Sequence, residues 1–298
     1  MIRTTILLFL LSGCSTGSAV NENKSDVADT MKVAEHVDAN RNSTPILRDT
    51  TLMLPWLDTK VKVSIRAAIP GVVKGTILIL PGWNHSPLYW CDKMDFCKKA
   101  VNAGFNLVMP EIQKGVYTDN PFPETRADLV KMPTMKFVDS VMLPVLQKEF
   151  GVLMPGGNNF ITGLSTGARG AVLIAMNHPD IFRKGVALSG DFDNSLLATD
   201  KVMIAYYGPK SNFEKRWNEE ANPAKSVEKL TMPFIFVHAK DDNVVRYDNT
   251  TKFVELIGRT GINKDISFIS SDTGAHTYPF WNRYADTTLT FFSDSGNK

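Results

Sequence analysis

The chain has 298 residues, of which 43% are hydrophobic and 21% are charged, an ordinary composition for a globular protein with a sizeable core. Its 33 basic and 31 acidic residues leave a formal net charge of +2. This near balance gives no sign of nucleic acid or another polyanion as a partner, and the sequence contains neither zinc-finger spacing nor a phosphate-binding loop.

The first fourteen residues predict export. One positive charge at Arg3 precedes an apolar run over 6–11, and the small residues Ser12 and Gly13 lead to Cys14. This order is typical of a signal peptide, and the apolar run is far shorter than the ~20 residues that cross a bilayer. An ordinary secretory signal in which Cys14 has no role is one interpretation of this segment.

The segment Leu11-Ser12-Gly13-Cys14 resembles the lipobox of bacterial lipoproteins. The resemblance implies cleavage before Cys14, lipid on its thiol, and a membrane anchor in the bacterial cell envelope. Ser15, rather than Asp, follows the cysteine, which in Gram-negative lipoproteins of this type implies the outer membrane.

Residues 14–44 are polar and aperiodic, so they are predicted to form a flexible tether. After residue 45 the chain shows no repeat, linker or second composition regime. We therefore predict a signal peptide over 1–13, the tether over 14–44 and one domain over 45–298. Nothing in the sequence assigns an oligomeric state.

Strands and helices alternate along the predicted domain. Residues 61–65 alternate between apolar and polar, as in a half-buried strand, whereas 76–80 form an apolar run that suits a strand buried on both faces. Further strands are predicted at 105–109, 159–163, 186–188, 234–237 and 266–269, and helices at 88–103, 134–150 (kinked by Pro144), 168–177, 247–259 and 280–292. This order predicts a mostly parallel sheet, with the segments before Thr76 as antiparallel edge strands.

A G-x-S-x-G motif lies between a predicted strand and a predicted helix. It reads Gly163-Leu164-Ser165-Thr166-Gly167. Glycines allow the tight turn that lifts a serine clear of the sheet, at a helix N-terminus where negative charge is favoured. Ser165 is therefore the predicted nucleophile, and the alternative is a small-residue turn without chemistry.

A serine nucleophile needs a base, and the chain has five histidines. His276 follows the last predicted strand, so its loop reaches the same sheet edge as Ser165, and it is the predicted base. The other four are placed in the tether (His36), in the loop after the first buried strand (His85), at a helix end (His178) and at a strand end, where it suits the core (His238).

The base needs an acid between Ser165 and His276 in the chain. Asp242, after the strand at 234–237, is the predicted acid, and its neighbour Asp241 could instead cap the turn. Asp191 and Asp193, after the preceding strand, are the remaining candidates.

The predicted mechanism also needs two backbone N–H donors that form an oxyanion hole. One is the N–H of Thr166, next to the nucleophile, and the other is the N–H of Trp83, in the loop after the strand at 76–80. Among the aromatic residues near the predicted site, Trp83 and Trp281 flank these loops and are the better candidates for lining the pocket. Packing in the core is the alternative for each of them. The chemistry requires neither a metal nor an organic cofactor.

From about Gly75 to Phe292 the sequence resembles the esterase D branch of the α/β-hydrolases. The matching segments are Leu143-Pro144, Gly163-Leu164-Ser165-Thr166-Gly167-Ala168-Arg169-Gly170-Ala171, His178-Pro179-Asp180-Ile181-Phe182, Leu188-Ser189-Gly190 and Gly274-Ala275-His276-Thr277-Tyr278-Pro279-Phe280-Trp281. Two departures are Ala168, where a second glycine is usual, and Pro81-Gly82-Trp83, in place of a His-Gly-Gly type of loop.

The resemblance implies an α/β-hydrolase fold, with a mostly parallel central sheet and helices on both faces. It implies a serine esterase that acts through an acyl-enzyme on a carbohydrate ester or another small envelope ester. The branch includes feruloyl, acetyl-xylan and siderophore esterases, mycolyltransferases and S-formylglutathione hydrolases, and the export signal argues against the last of these. An acyltransferase, a serine peptidase of the same fold and a non-catalytic binding lipoprotein are the alternatives.

Cys91 and Cys97 are a pair whose state the sequence leaves open. In the helix predicted over 88–103 they would lie on different faces, separated by a rise of ~9 Å, which is beyond disulfide reach. Export to an oxidising compartment favours pairing, which would need Cys91 in a loop before the helix. Two buried thiols are the alternative.

Overall fold

The structure is a computed structural model that describes residues 47–71 and 73–294. These residues contain an eight-stranded sheet. The predicted signal peptide, the tether and Cys14 lie outside these residues. The strands are β1 (Thr50–Trp56), β2 (Thr59–Arg66), β3 (Gly75–Leu80), β4 (Phe105–Pro110), β5 (Asn159–Leu164), β6 (Phe182–Leu188), β7 (Phe234–Ala239) and β8 (Ile266–Ser271).

The strand order in the sheet is β1-β2-β4-β3-β5-β6-β7-β8. β2 pairs antiparallel with β1 and with β4, and every other pairing is parallel. The predicted mostly parallel sheet with antiparallel strands at one edge is therefore confirmed. All six residues of β4, β5 and β7 are buried, as expected of parallel strands that are covered on both faces.

Helices cover both faces of the sheet. They are α1 (Tyr89–Asp92), α2 (Phe96–Asn102), α3 (Met135–Phe137), α4 (Leu143–Phe150), α5 (Thr166–Asn177), α6 (Lys201–Tyr207), α7 (Glu214–Glu219), α8 (Tyr247–Thr260), α9 (Tyr278–Asn282) and α10 (Ala285–Ser293). None of the helices in the described part of the chain is long and apolar enough to span a membrane.

The alternation of side chains along β3 divides the core into two layers. Leu78 and Leu80 pack with the apolar faces of α3, α4, α5 and α8. Ile77 and Ile79 point to the other side and pack with α1, α2, α9 and α10. Because neighbouring residues of a strand face opposite sides, one short apolar run supplies both layers.

The helix predicted over 88–103 is broken, which settles the state of the cysteines. α1 and α2 are separate helices, and the break at 93–95 is held by the Asp95 N–H, which donates to Asn282 Oδ1 at 2.9 Å. Cys91 and Cys97 form a disulfide with their Cα atoms 4.9 Å apart. The prediction of one continuous helix was wrong, because that geometry would keep the two thiols too far apart.

Two other predicted helices are also interrupted. Ahead of Pro144, the helix predicted at 134–150 contains a π-helical turn, Val138–Met142, whose wider geometry makes room for the proline ring. The helix predicted at 280–292 is the pair α9 and α10, and Thr277 Oγ1 caps the first by accepting from Phe280 N.

The segment between β6 and β7, residues 189–233, lies over the carboxyl edge of the sheet and is called here the covering segment. It contains α6, α7 and three short 3-10 turns. Its aromatic residues Tyr206, Tyr207 and Trp217 are buried in a small third cluster with Val116 and Leu129. The cluster accounts for the aromatic residues of this otherwise polar segment.

Candidate active site

Ser165 lies in a sharp turn between β5 and α5, with φ 55° and ψ −126°. A positive φ at a non-glycine residue costs roughly 1–3 kcal/mol and is typical of functional turns. A Cβ at Gly163 would lie 2.1 Å from Gly167 O, and a Cβ at Gly167 would lie 2.4 Å from Pro81 O. Only glycine fits at these two positions, so the motif shapes the turn that presents the serine.

Asp242 and His276 are joined by a hydrogen bond of 2.7 Å between Asp242 Oδ2 and His276 Nδ1. Asp242 Oδ1 accepts from the N–H groups of Val244 and Val245, both at 2.9 Å. Burial alone would raise the pKa of Asp242, but the hydrogen bonds from His238 and His276 hold that pKa well below its usual range. The carboxylate is therefore ionised and fixes the orientation of the His276 ring.

Asp241 supports the same histidine from its loop. Its carboxylate accepts from Gly274 N at 3.2 Å and from Ala275 N at 2.7 Å, directly before His276. These bonds lower the pKa of Asp241, with the bond from Ala275 contributing most. Asp241 therefore has the structural role that the sequence left open for it, but the backbone it holds is that of the loop before His276 and not that of its own turn.

Ser165 and His276 line one pocket with a volume of about 360 Å³. No hydrogen bond within 3.5 Å joins the Ser165 hydroxyl to His276 in the described residues. Such contacts are often long before substrate binds. The structure therefore brings the predicted nucleophile and base to the same pocket and the predicted acid directly behind the base.

The two predicted oxyanion donors flank the predicted nucleophile. Thr166 begins α5, and the loop of Gly82 and Trp83 passes so close that a Cβ at Gly82 would lie 3.5 Å from Ser165 Cβ. Within the described chain, neither the Trp83 N–H nor the Thr166 N–H donates to another backbone group. Both remain predicted donors for an oxyanion.

The comparisons with known proteins agree on the architecture. S-formylglutathione hydrolase (FrmB) from Staphylococcus aureus superposes with a TM-score of 0.65 at 16% identity, covering 83% of this chain and 98% of that one. A ferulic acid esterase gives a TM-score of 0.61 at 18% identity, with coverages of 82% and 96%. The fold is that of the α/β-hydrolases.

Peptidases share this α/β-hydrolase fold as well. The family model "Prolyl oligopeptidase family" matches residues 146–282, which include Ser165, Asp242 and His276. An acylaminoacyl peptidase from Pyrococcus horikoshii superposes with a TM-score of 0.60 at 13% identity, covering 84% of this chain but 43% of that one. A search of curated protein sequences gives no match.

Of the two tryptophans, Trp281 packs in the core, which is the alternative to a place in the pocket. It is 2% exposed, its indole Nε1 donates to Ser189 Oγ at 3.0 Å, and its ring packs edge-on against His276 at 5.0 Å. It supports the base from behind and does not line the pocket. Trp83 does line the pocket, with its indole Nε1 donating to Lys114 O.

The other acidic candidates have other roles. Asp193 Oδ1 accepts from Ser195 N at 2.8 Å and caps a 3-10 turn. Asp191 lines the pocket but forms no hydrogen bond with His276. The geometry thus selects Asp242 as the partner of His276.

One wall of the pocket carries charged side chains that the sequence did not predict to lie there. Arg169, one turn after Ser165 on α5, is fully buried, and its Nη1 lies 3.9 Å from Asp191 Oδ2. Burial raises the pKa of Asp191 to about 6, against the opposing effect of Arg169. Asp200 also lines the pocket, and its Oδ1 accepts from Val202 N and Met203 N. Asp200 lies in the covering segment, which contains no recognisable motif, so no sequence signal marks its place in the pocket.

The remaining histidines in the described residues are accounted for. His178 Nε2 pairs with Asp139 at the end of α5, and His85 Nδ1 lies 2.8 Å from the Tyr278 hydroxyl. His238 is fully buried at the end of β7, as expected of a core residue, yet its Nε2 lies 3.2 Å from Asp242 Oδ2. No cluster of three or more potential metal ligands occurs in the part of the chain that the structure describes.

Proposed function

We propose that this protein is a serine esterase that hydrolyses a carboxylic ester through an acyl-enzyme intermediate. The observation that carries the proposal is the Asp242–His276 hydrogen bond of 2.7 Å beside a pocket that both His276 and Ser165 line. A serine at a strained turn, a base and an ionised acid behind the base are the parts that acyl transfer needs.

In the first half of the reaction, Ser165 Oγ attacks the ester carbonyl and its proton passes to His276 Nε2. The negative charge on the former carbonyl oxygen is stabilised by the N–H groups of Thr166 and Trp83 and by the N-terminus of α5. The tetrahedral intermediate collapses, the C–O bond to the alcohol breaks, and His276 returns the proton to the leaving alkoxide.

In the second half, water takes the place of the alcohol. The water attacks the acyl carbon while His276 accepts its proton, and the new oxyanion accepts hydrogen bonds from the same two N–H groups. Collapse breaks the bond to Ser165 Oγ, which regains its proton from His276. The ionised Asp242 stabilises the His276 imidazolium in both halves.

For the substrate, we propose an ester of a hydroxyl-bearing group, such as a carbohydrate or another small envelope ester. Asp191 and Asp200 offer acceptors at the pocket wall. Arg169 faces the first, and two backbone N–H groups offset the charge of the second. Acceptors that already have a cation or N–H donors beside them suit neutral hydroxyl donors better than a free cation.

The proposed location is the bacterial cell envelope, through lipid on Cys14, at the outer membrane in a Gram-negative host. The lipobox-like segment Leu11-Ser12-Gly13-Cys14 supports this proposal. Metabolic labelling with a fatty-acid analogue tests it: we expect label on the wild-type protein and none on Cys14→Ala, and label on both would contradict the assignment.

A serine peptidase of the same fold is the second candidate, favoured by the match of residues 146–282 to the prolyl oligopeptidase family model. The two activities share the acyl-enzyme and differ in the leaving group. Comparing kcat/KM on an ester and an amide with the same acyl group separates them. A preference for the amide would favour the peptidase.

The experiment for the esterase itself is p-nitrophenyl acetate hydrolysis by the full-length protein and by Ser165→Ala. We expect turnover by the wild type and a loss of roughly a thousandfold or more in the variant. Folded wild-type protein without turnover on this or a wider ester panel would contradict the proposal.

A further inference from the structure

Two histidines, not one, share a single oxygen of Asp242. His276 Nδ1 lies 2.7 Å from Asp242 Oδ2, and His238 Nε2 lies 3.2 Å from the same oxygen. His238 is the fifth residue of β7, four residues before Asp242, and its side chain is completely buried. A fully buried, polar ring beside an ionised carboxylate needs a reason beyond filling space.

The surroundings of His238 Nε2 fix its protonation. Its two nearest oxygens are the carbonyl of Val245 at 3.0 Å and the carboxylate of Asp242. A carbonyl only accepts, and an ionised carboxylate also only accepts. The nitrogen must therefore carry a proton, and its N–H is shared between Val245 O at 3.0 Å and Asp242 Oδ2 at 3.2 Å. The donor adds positive potential next to Oδ2.

The other ring nitrogen, Nδ1, connects His238 to helix α8 and to the loop after β6. His238 Nδ1 lies 2.7 Å from Thr250 Oγ1 of α8, and Thr250 Oγ1 donates to Gly190 O at 3.0 Å. The residue before Gly190, Ser189, accepts from Trp281 Nε1, and Trp281 packs on His276. The contacts thus lead from Asp242 through His238 back to the base.

We propose that His238 is a positioning residue for the reaction, acting through Asp242. Two backbone N–H groups hold Asp242 Oδ1. The His238 N–H holds Oδ2 in the place where it meets His276 Nδ1. The terminal torsion of an aspartate is soft, so without this donor the carboxylate can rotate. Small displacements of a catalytic group lower the rate because the reacting geometry is lost. This inference rests on the proposed esterase function.

Two substitutions of His238 distinguish the contributions of its two ring nitrogens. The amide nitrogen of glutamine reaches as far from the backbone as Nε2, and that of asparagine reaches only as far as Nδ1. His238→Gln therefore keeps a donor for Asp242, whereas His238→Asn keeps only a partner for Thr250. Both variants replace the ring by a smaller amide, so the loss of packing is similar.

The test measures kcat and KM on p-nitrophenyl acetate with the full-length protein. We expect His238→Asn to lower kcat by roughly 10- to 100-fold, the range for supporting partners of a catalytic group, with little change in KM. His238→Gln should retain most of the wild-type kcat. His178→Asn, at a surface pair with Asp139, is the matched control and should leave both constants unchanged.

A proton NMR signature distinguishes positioning from packing. The far-downfield resonance of the His276 Nδ1–H should persist in His238→Gln and weaken or broaden in His238→Asn. Equal kcat values and equal resonances in the two variants would overturn the proposal, whether both match the wild type or both fall. If the wild type lacks turnover, the esterase proposal fails, and the resonance alone decides on His238.

A second pair keeps the proposal testable if His238→Asn does not fold. Thr250→Ser retains the hydroxyl beside His238 Nδ1, and Thr250→Val removes it at nearly constant volume. We expect a lower kcat in Thr250→Val and a nearly unchanged kcat in Thr250→Ser. Equal kcat values in these two variants would also contradict the proposal.

Discussion

Two regions meet at the pocket, and they are built differently. The loops after β5, β7 and β8 carry Ser165, Asp242 and His276, and the parallel sheet brings all three to one edge. The covering segment, 189–233, supplies Asp191 and Asp200 from short helices and turns held by an aromatic cluster. Sheet topology therefore places the proposed reacting groups, whereas irregular packing places the two carboxylates at the pocket wall that are proposed to meet the rest of the substrate.

The largest effect expected from this comparison concerns the two adjacent aspartates. Asp242→Asn should lower kcat by about ten-thousandfold, because the amide cannot hold the required tautomer of His276. Asp241→Asn should cost far less, because the hydrogen bonds of Asp241 within the described residues go to the backbone of Gly274 and Ala275. Steady-state kinetics of the two variants checks the assignment, and a larger loss in Asp241→Asn would reverse it.

The next effect concerns the turn that carries the proposed nucleophile, Ser165. A Cβ at Gly163 would lie 2.1 Å from Gly167 O, so Gly163→Ala must displace the turn and should abolish activity or folding. Gly258 is the matched control, because a Cβ there meets nothing within 4 Å. In that exposed part of α8, Gly258→Ala should stabilise the protein by about 0.5–1 kcal/mol. Thermal unfolding and ester turnover of both variants test the contrast.

A smaller effect is expected from the disulfide, which lies on the sheet face away from the covering segment. Replacing Cys91 and Cys97 by serine should lower the free energy of unfolding by about 2 kcal/mol, as expected for a short closed loop. Turnover at 25 °C should change little. Denaturant unfolding with and without reductant measures the loss, and an unchanged midpoint for the wild type under reductant would contradict it.

The smallest effect concerns Asp191 and depends on pH. Because burial raises its pKa to about 6, the folded state binds this proton more tightly than the unfolded state does. Its contribution favours folding at low pH and is lost as the pH rises toward 6. Asp191→Asn should therefore be more stable than the wild type above pH 6, by about 1–2 kcal/mol after allowance for partial exposure, with the difference vanishing below about pH 4. Unfolding curves at pH 4 and pH 7.5 test this sign.

The same division sets how much the sequence predicts. Buried strands, period-3.6 helices and a glycine-framed serine depend on local pattern, so the parallel sheet and the positions of Ser165 and His276 could be predicted. The break between α1 and α2 could not, because it depends on Asn282, nearly 190 residues away. The burial of Trp281 beneath His276 likewise depends on Ser189 of another loop.

The roles of Asp191 at the pocket wall and of His238 beside Asp242 could not be predicted from local sequence pattern either. The sequence alone presents Asp191 as a candidate acid for the base and His238 as a residue that suits the core. What gives each its place is a long-range partner, Arg169 in one case and Thr250 of α8 in the other. Distant pairing of polar groups leaves no periodic trace in a single sequence.

The most direct test of the central claim is to trap the proposed nucleophile as a covalent adduct, which is a phosphonyl-serine with a fluorophosphonate and an acyl-serine with an ester. A fluorophosphonate or a slowly released ester should add one adduct to the full-length protein, and peptide mass spectrometry should locate it on Ser165. The same reagent should give no adduct with Ser165→Ala and a much slower one with Asp242→Asn. An adduct on another residue, or none on folded wild-type protein, would contradict the assignment of Ser165 as the nucleophile.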